Sequence, residues 1–204
     1  MLAETAETTA QSHVGSLPRQ VQATLAQAGL DWPGVDGLAI SIGPGSFTGL
    51  RIGLSLVKGI AYAGRLPVAA VPTLEALAHV ADAAPGEVVW AVLDARMREV
   101  YAASFERGPD GLVRRTPDEA LAPAALAARL RAGDVVVGDA PAAYPVLCDS
   151  PARILPFATH HPRGGVVARL GGAALAAGGA ADLGPLEPVY VRPSQAEMAR
   201  GHSR

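Results

Sequence analysis

The stretch most able to do chemistry is the glycine-rich segment from Ile42 to Gly53, which reads Ile-Gly-Pro-Gly-Ser-Phe-Thr-Gly-Leu-Arg-Ile-Gly. It joins a predicted buried strand to a predicted helix, and the N–H groups that begin a helix favour an anion such as a phosphate. The lysine spacing of a P-loop is absent, because Lys58 lies too far along the helix. The segment therefore predicts either a degenerate phosphate or nucleotide loop or a tight turn that lets the helix pack closely. The residues of that loop are Gly43, Gly45, Ser46 and Thr48.

A second polar group surrounds a predicted hairpin turn at residues 94–98, which read Asp-Ala-Arg-Met-Arg. Asp94 and Glu99 are two carboxylates that could do acid–base work, but the sequence does not fix their separation. Arginine and glutamate beside a hairpin more often form surface salt bridges. We therefore treat Asp94, Arg96 and Glu99 as candidates for the lining of a cleft at the strand ends.

Other nucleophile and metal patterns are missing from the sequence. The single cysteine, Cys148, has no histidine near it, and one cysteine excludes a disulfide framework. His160 and His161 are adjacent, so they do not share a face of a helix or strand, and no further ligands follow at a metal-binding spacing. No Gly-x-Ser-x-Gly elbow occurs. The residues alone therefore identify no catalytic set and no metal site.

The amino-acid composition excludes several classes of protein. The chain has 204 residues, of which 50 % are hydrophobic, and a formal net charge of −2. This balance excludes global disorder and a nucleic-acid binder that works by bulk positive charge. The sequence has no apolar run of membrane length, and its first residues are acidic and polar, unlike a signal peptide. We expect a soluble, cytoplasmic protein without a membrane span.

Alternating helices and strands must position these residues. Apolar residues recur at intervals of three and four between residues 14 and 28, which predicts a helix. Short apolar runs predict strands at 38–42 and 68–71, with a helix at 47–63 between them and another at 73–83. This alternation favours an α/β layer with parallel strands. Beyond the Ala-Pro-Gly at 84–86 we predict a hairpin at 87–93 and 99–105, a helix at 123–131, a strand at 135–137 and helices at 142–147 and 166–177.

Glycines interrupt the second predicted helix at Gly49, Gly53 and Gly59. Each interior glycine costs about 0.5–1 kcal/mol relative to alanine, so a close backbone approach would explain them. The approach is either to the helix's own domain or to a helix of another chain. On the second interpretation the partner interface consists of Leu17, Val21, Leu25, Gly49, Leu50, Gly53 and Val57.

The segment from Gly43 to Gly53, followed by Lys58 and Gly59, closely resembles the signature of the bacterial TsaB (YeaZ) family. Further matches follow in the family's order, at 93–96, 99–101, 138–139 and 188–192. The resemblance therefore covers about residues 12 to 193. It implies a two-lobe α/β fold of the actin/Hsp70/sugar-kinase type, with lobes expected at 1–84 and 85–182 and a strap and tail at 183–204.

The resemblance also implies that the chain is a non-catalytic subunit. Its complex adds threonylcarbamoyl to the tRNA adenosine next to the anticodon, and a paralogue, TsaD, carries the metal and the catalysis. An ATPase subunit, TsaE, joins this assembly, tRNA meets the chain only through the complex, and homodimers form when the partner is absent. We therefore expect no resident metal or cofactor and at most weak nucleotide binding.

Two further expectations accompany the resemblance. Family members begin with strands and an Asp-Thr-Ser-like turn before the first helix, and we expect these strands of lobe one to be missing here. The alternative functions are a kinase or ATPase of the same fold and a metallopeptidase. The first would need the acidic residue of the missing strand, and the second would need a His-x-x-x-His pattern that the sequence lacks.

Overall fold

The computed structural model describes residues 1–6 and 16–191. Their contacts form two compact units, the first made of residues 1–6, 16–72 and 163–188 and the second of residues 73–162 and 189–191. No helix among the described residues has both the length and the apolar character needed to cross a bilayer.

Unit 1 is a two-stranded parallel sheet covered by helices. Its elements are α1 (Leu17–Gln27), β1 (Leu38–Ser41), α2 (Phe47–Gly64), β2 (Val68–Val71) and α6 (Gly164–Ala176). In the ladder Leu38 lies opposite Val68, and Ser41 lies opposite Val71. Since side chains alternate between the faces of a strand, Ala39 and Ile40 point to opposite faces.

Two glycines show how the helices cover those faces. A Cβ added at Gly171 of α6 would lie 2.3 Å from the Cβ of Ala39, so α6 packs directly on the face that carries Ala39. A Cβ added at Gly53 of α2 would lie 3.5 Å from Cδ1 of Ile40, which places α2 on the other face. The carboxylate of Glu4 accepts a hydrogen bond from the Gly165 N–H at 2.7 Å, which ties the start of the chain to α6.

Unit 2 is a mixed six-stranded sheet. Its elements are α3 (Thr73–Ala78), β3 (Val88–Arg96), β4 (Glu99–Gly108), β5 (Gly111–Arg114), β6 (Glu119–Leu121), α4 (Pro123–Ala127), β7 (Val135–Val137), α5 (Ala140–Ala143) and β8 (Arg153–Ile154). The strand order is β5-β4-β3-β7-β8, and β6 pairs with β4. The β3–β4 pair is antiparallel, whereas β3–β7 and β7–β8 are parallel.

Both faces of this sheet are covered by hydrophobic cores. One face buries Leu74, Leu77 and Phe105. The other buries Trp90, Leu126 and Leu147.

The boundary between the units differs from the one that the sequence suggested. It falls between Pro72 and Thr73 rather than at 84/85, because Leu74 and Leu77 of α3 are fully buried in the core beneath β3 and β4. Residues 163–182, which were expected in the second lobe, belong to unit 1, because α6 packs on β1 and β2. Of the predicted helix at 14–28, residues 14 and 15 lie outside the described residues.

Candidate functional site

The glycine-rich loop ends in a helix cap. The peptide bond between Gly43 and Pro44 is cis, both residues are buried, and Gly43 has a φ of +118°. Ser46 lies at the N-cap of α2, where its hydroxyl oxygen accepts the Gly49 N–H at 3.2 Å. The Ser46 hydroxyl therefore already satisfies one of the amide donors that a phosphate would use. Thr48 is exposed in the first turn of the helix.

Replacing Ser46 by alanine is expected to destabilise the chain by about 1 kcal/mol, because Gly49 would lose its capping acceptor. Ser46→Asp, which keeps an acceptor at the cap, is the matched control and should lose less stability than the alanine variant. Urea unfolding monitored by circular dichroism measures both. Equal losses in the two variants would show that the hydroxyl does not act as a cap.

The start of α1, at Leu17 and Pro18, and the first half of α2 line a shared crevice of about 320 Å³. The outward residues of α2 recur at intervals of three and four: Arg51, Ser55, Gly59 and Tyr62. We refer to these four residues as the exposed ridge of α2. Tyr62 is 85 % exposed, and a Cβ added at Gly59 would meet nothing within 4 Å. The ridge therefore presents a small-residue centre with a large aromatic residue at one end.

An arginine–aromatic contact marks the other end of the ridge. The guanidinium carbon of Arg51 lies 4.0 Å from the ring centroid of Phe47, which is 39 % exposed. Such a cation–π contact holds the arginine over the ring and leaves an apolar and a charged group on the same surface. Large aromatic side chains and arginine are the residue types that contribute most to protein–protein interfaces.

The predicted interface residues have different surroundings in the structure. Gly53 faces Ile40 of its own sheet, so this glycine serves packing within unit 1 and not a closest approach to another chain. Gly49 lies next to its cap, Ser46. The predicted interface residues that line a groove beside β1 are Leu17, Val21, Gly53 and Val57. The remaining two, Leu25 and Leu50, are half-buried. Of the three glycines that the sequence singled out in this helix, the exposed one is Gly59, whose role the sequence could not distinguish from that of the other two.

Asp94 anchors the hairpin turn between β3 and β4. Its Oδ1 accepts the Arg96 N–H at 2.8 Å and the Tyr144 hydroxyl at 2.9 Å, and its Oδ2 pairs with the Arg96 guanidinium at 3.0 Å. Arg96, Met97 and Arg98 all have positive φ, at 61°, 52° and 64°. Left-handed backbone costs about 1–2 kcal/mol for each residue other than glycine. The contacts of Asp94 therefore hold a turn that the backbone alone disfavours.

Asp139 joins this cluster from the end of β7. Its Oδ1 accepts the Asp94 N–H at 2.8 Å, so the carboxyl ends of the parallel strands β3 and β7 are linked there. The sequence indicated Asp94 and Arg96 but missed Asp139 and Tyr144, because they lie 45 and 50 residues away from Asp94. The position of Asp139 directly after a predicted strand was the available signal. Glu99 lies opposite Arg96 across the turn, and the lining of a cleft by these residues stays a prediction.

Burial raises the pKa of the Asp139 carboxyl above its ordinary value, and the nearby Asp94 carboxylate adds to the rise. The folded chain thus binds this proton more tightly than the unfolded chain, so the ionised Asp139 lowers stability above the folded pKa. Asp139→Asn keeps an acceptor for the Asp94 N–H and removes the charge. We expect it to be at least as stable as the wild type at pH 7, with an advantage that shrinks as the pH falls towards about 4.

Melting temperatures of both proteins between pH 4 and 7 measure this effect. An advantage of Asp139→Asn that is independent of pH, or that grows on acidification, would contradict the raised pKa. Asp139→Ala is the control for the hydrogen bond, and it should lose about 1–3 kcal/mol because the Asp94 N–H loses its acceptor.

No group of three or more histidine, cysteine, aspartate or glutamate side chains within residues 1–6 and 16–191 is arranged to hold a metal ion. Cys148 is exposed. His160 contacts Thr159 and the Pro156 carbonyl oxygen, and His161 packs edge-on against Phe157. These histidines therefore make local contacts in one loop.

Comparison with known proteins gives consistent matches. The family profile described as "TsaD: tRNA N6-adenosine threonylcarbamoyltransferase" matches residues 5–134. The chain is 39 % identical over 101 residues to the tRNA threonylcarbamoyladenosine biosynthesis protein TsaB of Escherichia coli, a match covering 49 % of this chain and 44 % of that protein. The protein of the same name from Haemophilus influenzae is 39 % identical over 97 residues, covering 47 % and 41 %. The matches thus span less than half of the length of these curated relatives.

The fold is similar to that of solved structures over most of the chain. YeaZ from Pseudomonas aeruginosa superimposes with a TM-score of 0.76 at 28 % identity, covering 90 % of this chain and 86 % of that one. A second structure, described as an uncharacterized protein with similarity to peptidase YeaZ from the same organism, gives 0.77 at 28 % identity, covering 91 % and 87 %. These similarities confirm the predicted α/β fold of the actin/Hsp70/sugar-kinase type.

Proposed function

The chain belongs to the TsaB (YeaZ) family, and from that membership we propose that it is a non-catalytic partner subunit of a complex that adds threonylcarbamoyl to tRNA. The modified base in this proposal is the adenosine next to the anticodon. The catalytic partner is a TsaD-type paralogue, and an ATPase subunit of the TsaE type completes the assembly. Relatives named as threonylcarbamoyladenosine biosynthesis proteins support the reaction.

The observation that carries the partner role is the exposed ridge of α2. Gly59 lets another backbone approach closely, while Tyr62 and the Arg51–Phe47 pair offer side chains that gain contact area when covered. Leu17 and Pro18, at the start of α1, line a crevice together with Arg51 and Ser55 and widen this surface. A helical hairpin of a partner could therefore pack against α1 and α2 together. The same surface would serve for a homodimer when the paralogue is absent.

Nucleotide binding is at most weak in this proposal. The Ser46 hydroxyl is engaged in capping α2, and Lys58, the residue that a phosphate loop would need nearby, donates from Nζ to the Gly184 carbonyl oxygen at 3.2 Å. Neither group is held ready for a phosphate. tRNA would accordingly contact this chain only within the complex.

Association with the paralogue tests the proposal. The chain and the TsaD-type protein of the same organism, mixed at equal concentrations, should elute as one species in size-exclusion chromatography with light scattering. The mass of a 1:1 heterodimer is the expected result. Separate elution of two well-folded proteins at micromolar concentration, with and without ATP and the TsaE-type subunit, would refute the partner role.

A further inference from the structure

A row of positive charges runs along α2. Arg51, Lys58 and Arg65 are spaced seven residues apart, which is nearly two full helical turns, so all three lie on almost the same side of the helix. Arg51 and Arg65 are exposed, and Lys58 is half-buried. Arg19 of α1 is also exposed, and it directly follows Pro18, which lines a crevice together with Arg51. We refer to Arg19, Arg51, Lys58 and Arg65 as the basic stripe.

No acidic residue offsets these charges within the two helices. Neither α1 (Leu17–Gln27) nor α2 (Phe47–Gly64) contains an aspartate or a glutamate. The acidic residues of unit 1 that the structure describes lie outside both helices and are Glu4, Asp31, Asp36, Asp182 and Glu187. The chain as a whole has a formal net charge of −2. The basic stripe is therefore a local concentration of positive charge on a slightly acidic protein.

The stability of the helices does not explain the basic stripe. Ser16 is the N-cap of α1, and Arg19 stands at the position where a glutamate would complete a capping box and complement the positive end of the helix dipole. Arg51, the fifth residue of α2, is also nearer the positive end of its helix. Only Arg65, at the C-cap, is placed where the dipole favours a cation. The charges of Arg19 and Arg51 therefore point to a partner outside the two helices.

The contacts that hold two of these side chains leave their charges in place. The guanidinium of Arg51 lies over the ring of Phe47, and Nζ of Lys58 donates to the Gly184 carbonyl oxygen at 3.2 Å. The ring and the carbonyl group are both uncharged, so neither contact cancels a positive charge. Such a surface acts on an approaching molecule over about 10 Å at 0.1 M salt.

We infer that the basic stripe selects an acidic helical surface on the catalytic paralogue and disfavours a second copy of this chain at the same place. The inference deepens the proposed function and rests on it, because it concerns the surface by which the chain would meet the paralogue. The basic stripe starts at Arg51 of the exposed ridge and continues along one side of that ridge. Gly59 follows Lys58 and lies about 100° further around the helix, so the partner's carboxylates belong beside the basic stripe and not opposite Gly59.

A second copy of this chain is disfavoured by charge. Two identical chains related by a two-fold axis bring the same surface of each copy together. Because α1 and α2 contain no acidic residue, the charge pairs formed between these helices of two copies are all repulsive, whatever the angle at which the copies meet. An acidic partner surface turns the same charges into attraction. The basic stripe therefore raises the specificity as well as the rate of association with such a partner.

RNA is the other polyanion that a basic stripe could meet, and two features favour a protein. The net charge of −2 on the whole chain opposes the approach of a large polyanion. The basic stripe also borders the exposed Phe47 and Tyr62, and arginine beside large aromatic side chains is typical of protein–protein interfaces. RNA is accordingly an alternative that the experiments must exclude.

The salt dependence of binding tests the inference. The affinity of the full chain for the TsaD-type protein of the same organism, measured by isothermal titration calorimetry, is expected to fall at least about tenfold between about 50 and 500 mM sodium chloride. An affinity that is unchanged or increased by salt would overturn the inference and leave the proposed function standing. Absence of association at both salt concentrations would refute the partner role itself and this inference with it.

A charge reversal locates the effect on the protein. Arg19→Glu should weaken binding to the paralogue about fivefold or more at about 50 mM salt and much less at 500 mM. Arg169→Glu is the matched control, because it makes the same change in net charge at an exposed arginine of α6, on the other face of the sheet. It should change the affinity less than about twofold. Equal effects in two folded variants would show that net charge sets the affinity, and would overturn the assignment.

Self-association and RNA binding test the other occupants. The dimer of the chain alone, measured by sedimentation equilibrium, should be at least about threefold tighter at 500 mM than at about 50 mM salt, and Arg19→Glu should tighten it at the lower concentration. A dimer that is equally tight at both, or no dimer at either, would show that charge does not decide self-association and would overturn the inference. Labelled tRNA that binds the chain, is displaced by the paralogue and is lost in Arg19→Glu would place RNA on the basic stripe, with the same consequence.

Discussion

Replacing Gly138 by alanine is expected to destabilise the chain on the order of 3–5 kcal/mol. Gly138 has a φ of +134°, a region that residues with a Cβ rarely adopt. An added Cβ would also lie 1.9 Å from the Val92 carbonyl oxygen and 2.8 Å from its carbonyl carbon. Both atoms belong to the backbone of β3, so no side-chain rotation can relieve the clash. Part of the parallel β3–β7 pairing must break to make room.

Gly133→Ala is the control for this variant. Gly133 also has a positive φ, at +92°, but a Cβ added there would meet nothing within 4 Å. Gly133→Ala should therefore lower the free energy of unfolding by only about 1–2 kcal/mol, which is the cost of the disfavoured backbone conformation. Urea unfolding of both variants separates the conformational cost from the clash. Equal losses would contradict the close approach of Gly138 to β3.

The Gly59→Arg substitution is expected to weaken association with the TsaD-type paralogue by about 100-fold or more without destabilising the chain. A bulky charged side chain at the centre of a packed interface separates the two surfaces and must lose its hydration there. On the free chain the position is open to solvent, and arginine favours a helix more than glycine does. The loss of affinity should therefore appear in a protein that is at least as stable as the wild type.

Gly59→Ala is the matched control, because it makes the same improvement in helix propensity and adds only a methyl group. Isothermal titration calorimetry with the paralogue measures both variants, and thermal unfolding checks that each is folded. If Gly59→Arg bound as tightly as Gly59→Ala, the interface would lie away from the exposed ridge of α2.

The local elements of the fold could be predicted from the sequence. The apolar runs at 38–42 and 68–71 correspond to β1 and β2, and the predicted hairpin corresponds to β3 and β4, which extend a few residues beyond the predicted bounds. The spacing of apolar residues and the residue types of turns are visible in short stretches of sequence. These elements can therefore be predicted without knowing which distant residues they contact. The fold type followed from the motif at Gly43 to Gly53 through its resemblance to a family.

The arrangement of the elements could not be read in the same way. Gly171 packs on Ala39, although the whole segment Thr73–Pro162 of unit 2 lies between them in the sequence. Nothing in the local sequence therefore assigns α6 to unit 1. The glycines of α2 illustrate the same difficulty within one helix. Gly53 faces the sheet and Gly59 faces solvent, although both are glycines in a similar apolar context. The burial of each depends on how the helix is rotated against β1, which is a tertiary property.

The central claim is that this chain supports a partner's catalysis of tRNA modification, and a reconstituted transfer assay measures it most directly. With tRNA, ATP and an activated threonylcarbamoyl donor present, threonylcarbamoyladenosine in tRNA, quantified by mass spectrometry, should form with the TsaD-type and TsaE-type proteins only when the wild-type chain is added. Gly59→Ala should restore product, and Gly59→Arg should leave it near the level without the chain. Product formation that is equal with and without the chain would contradict the account.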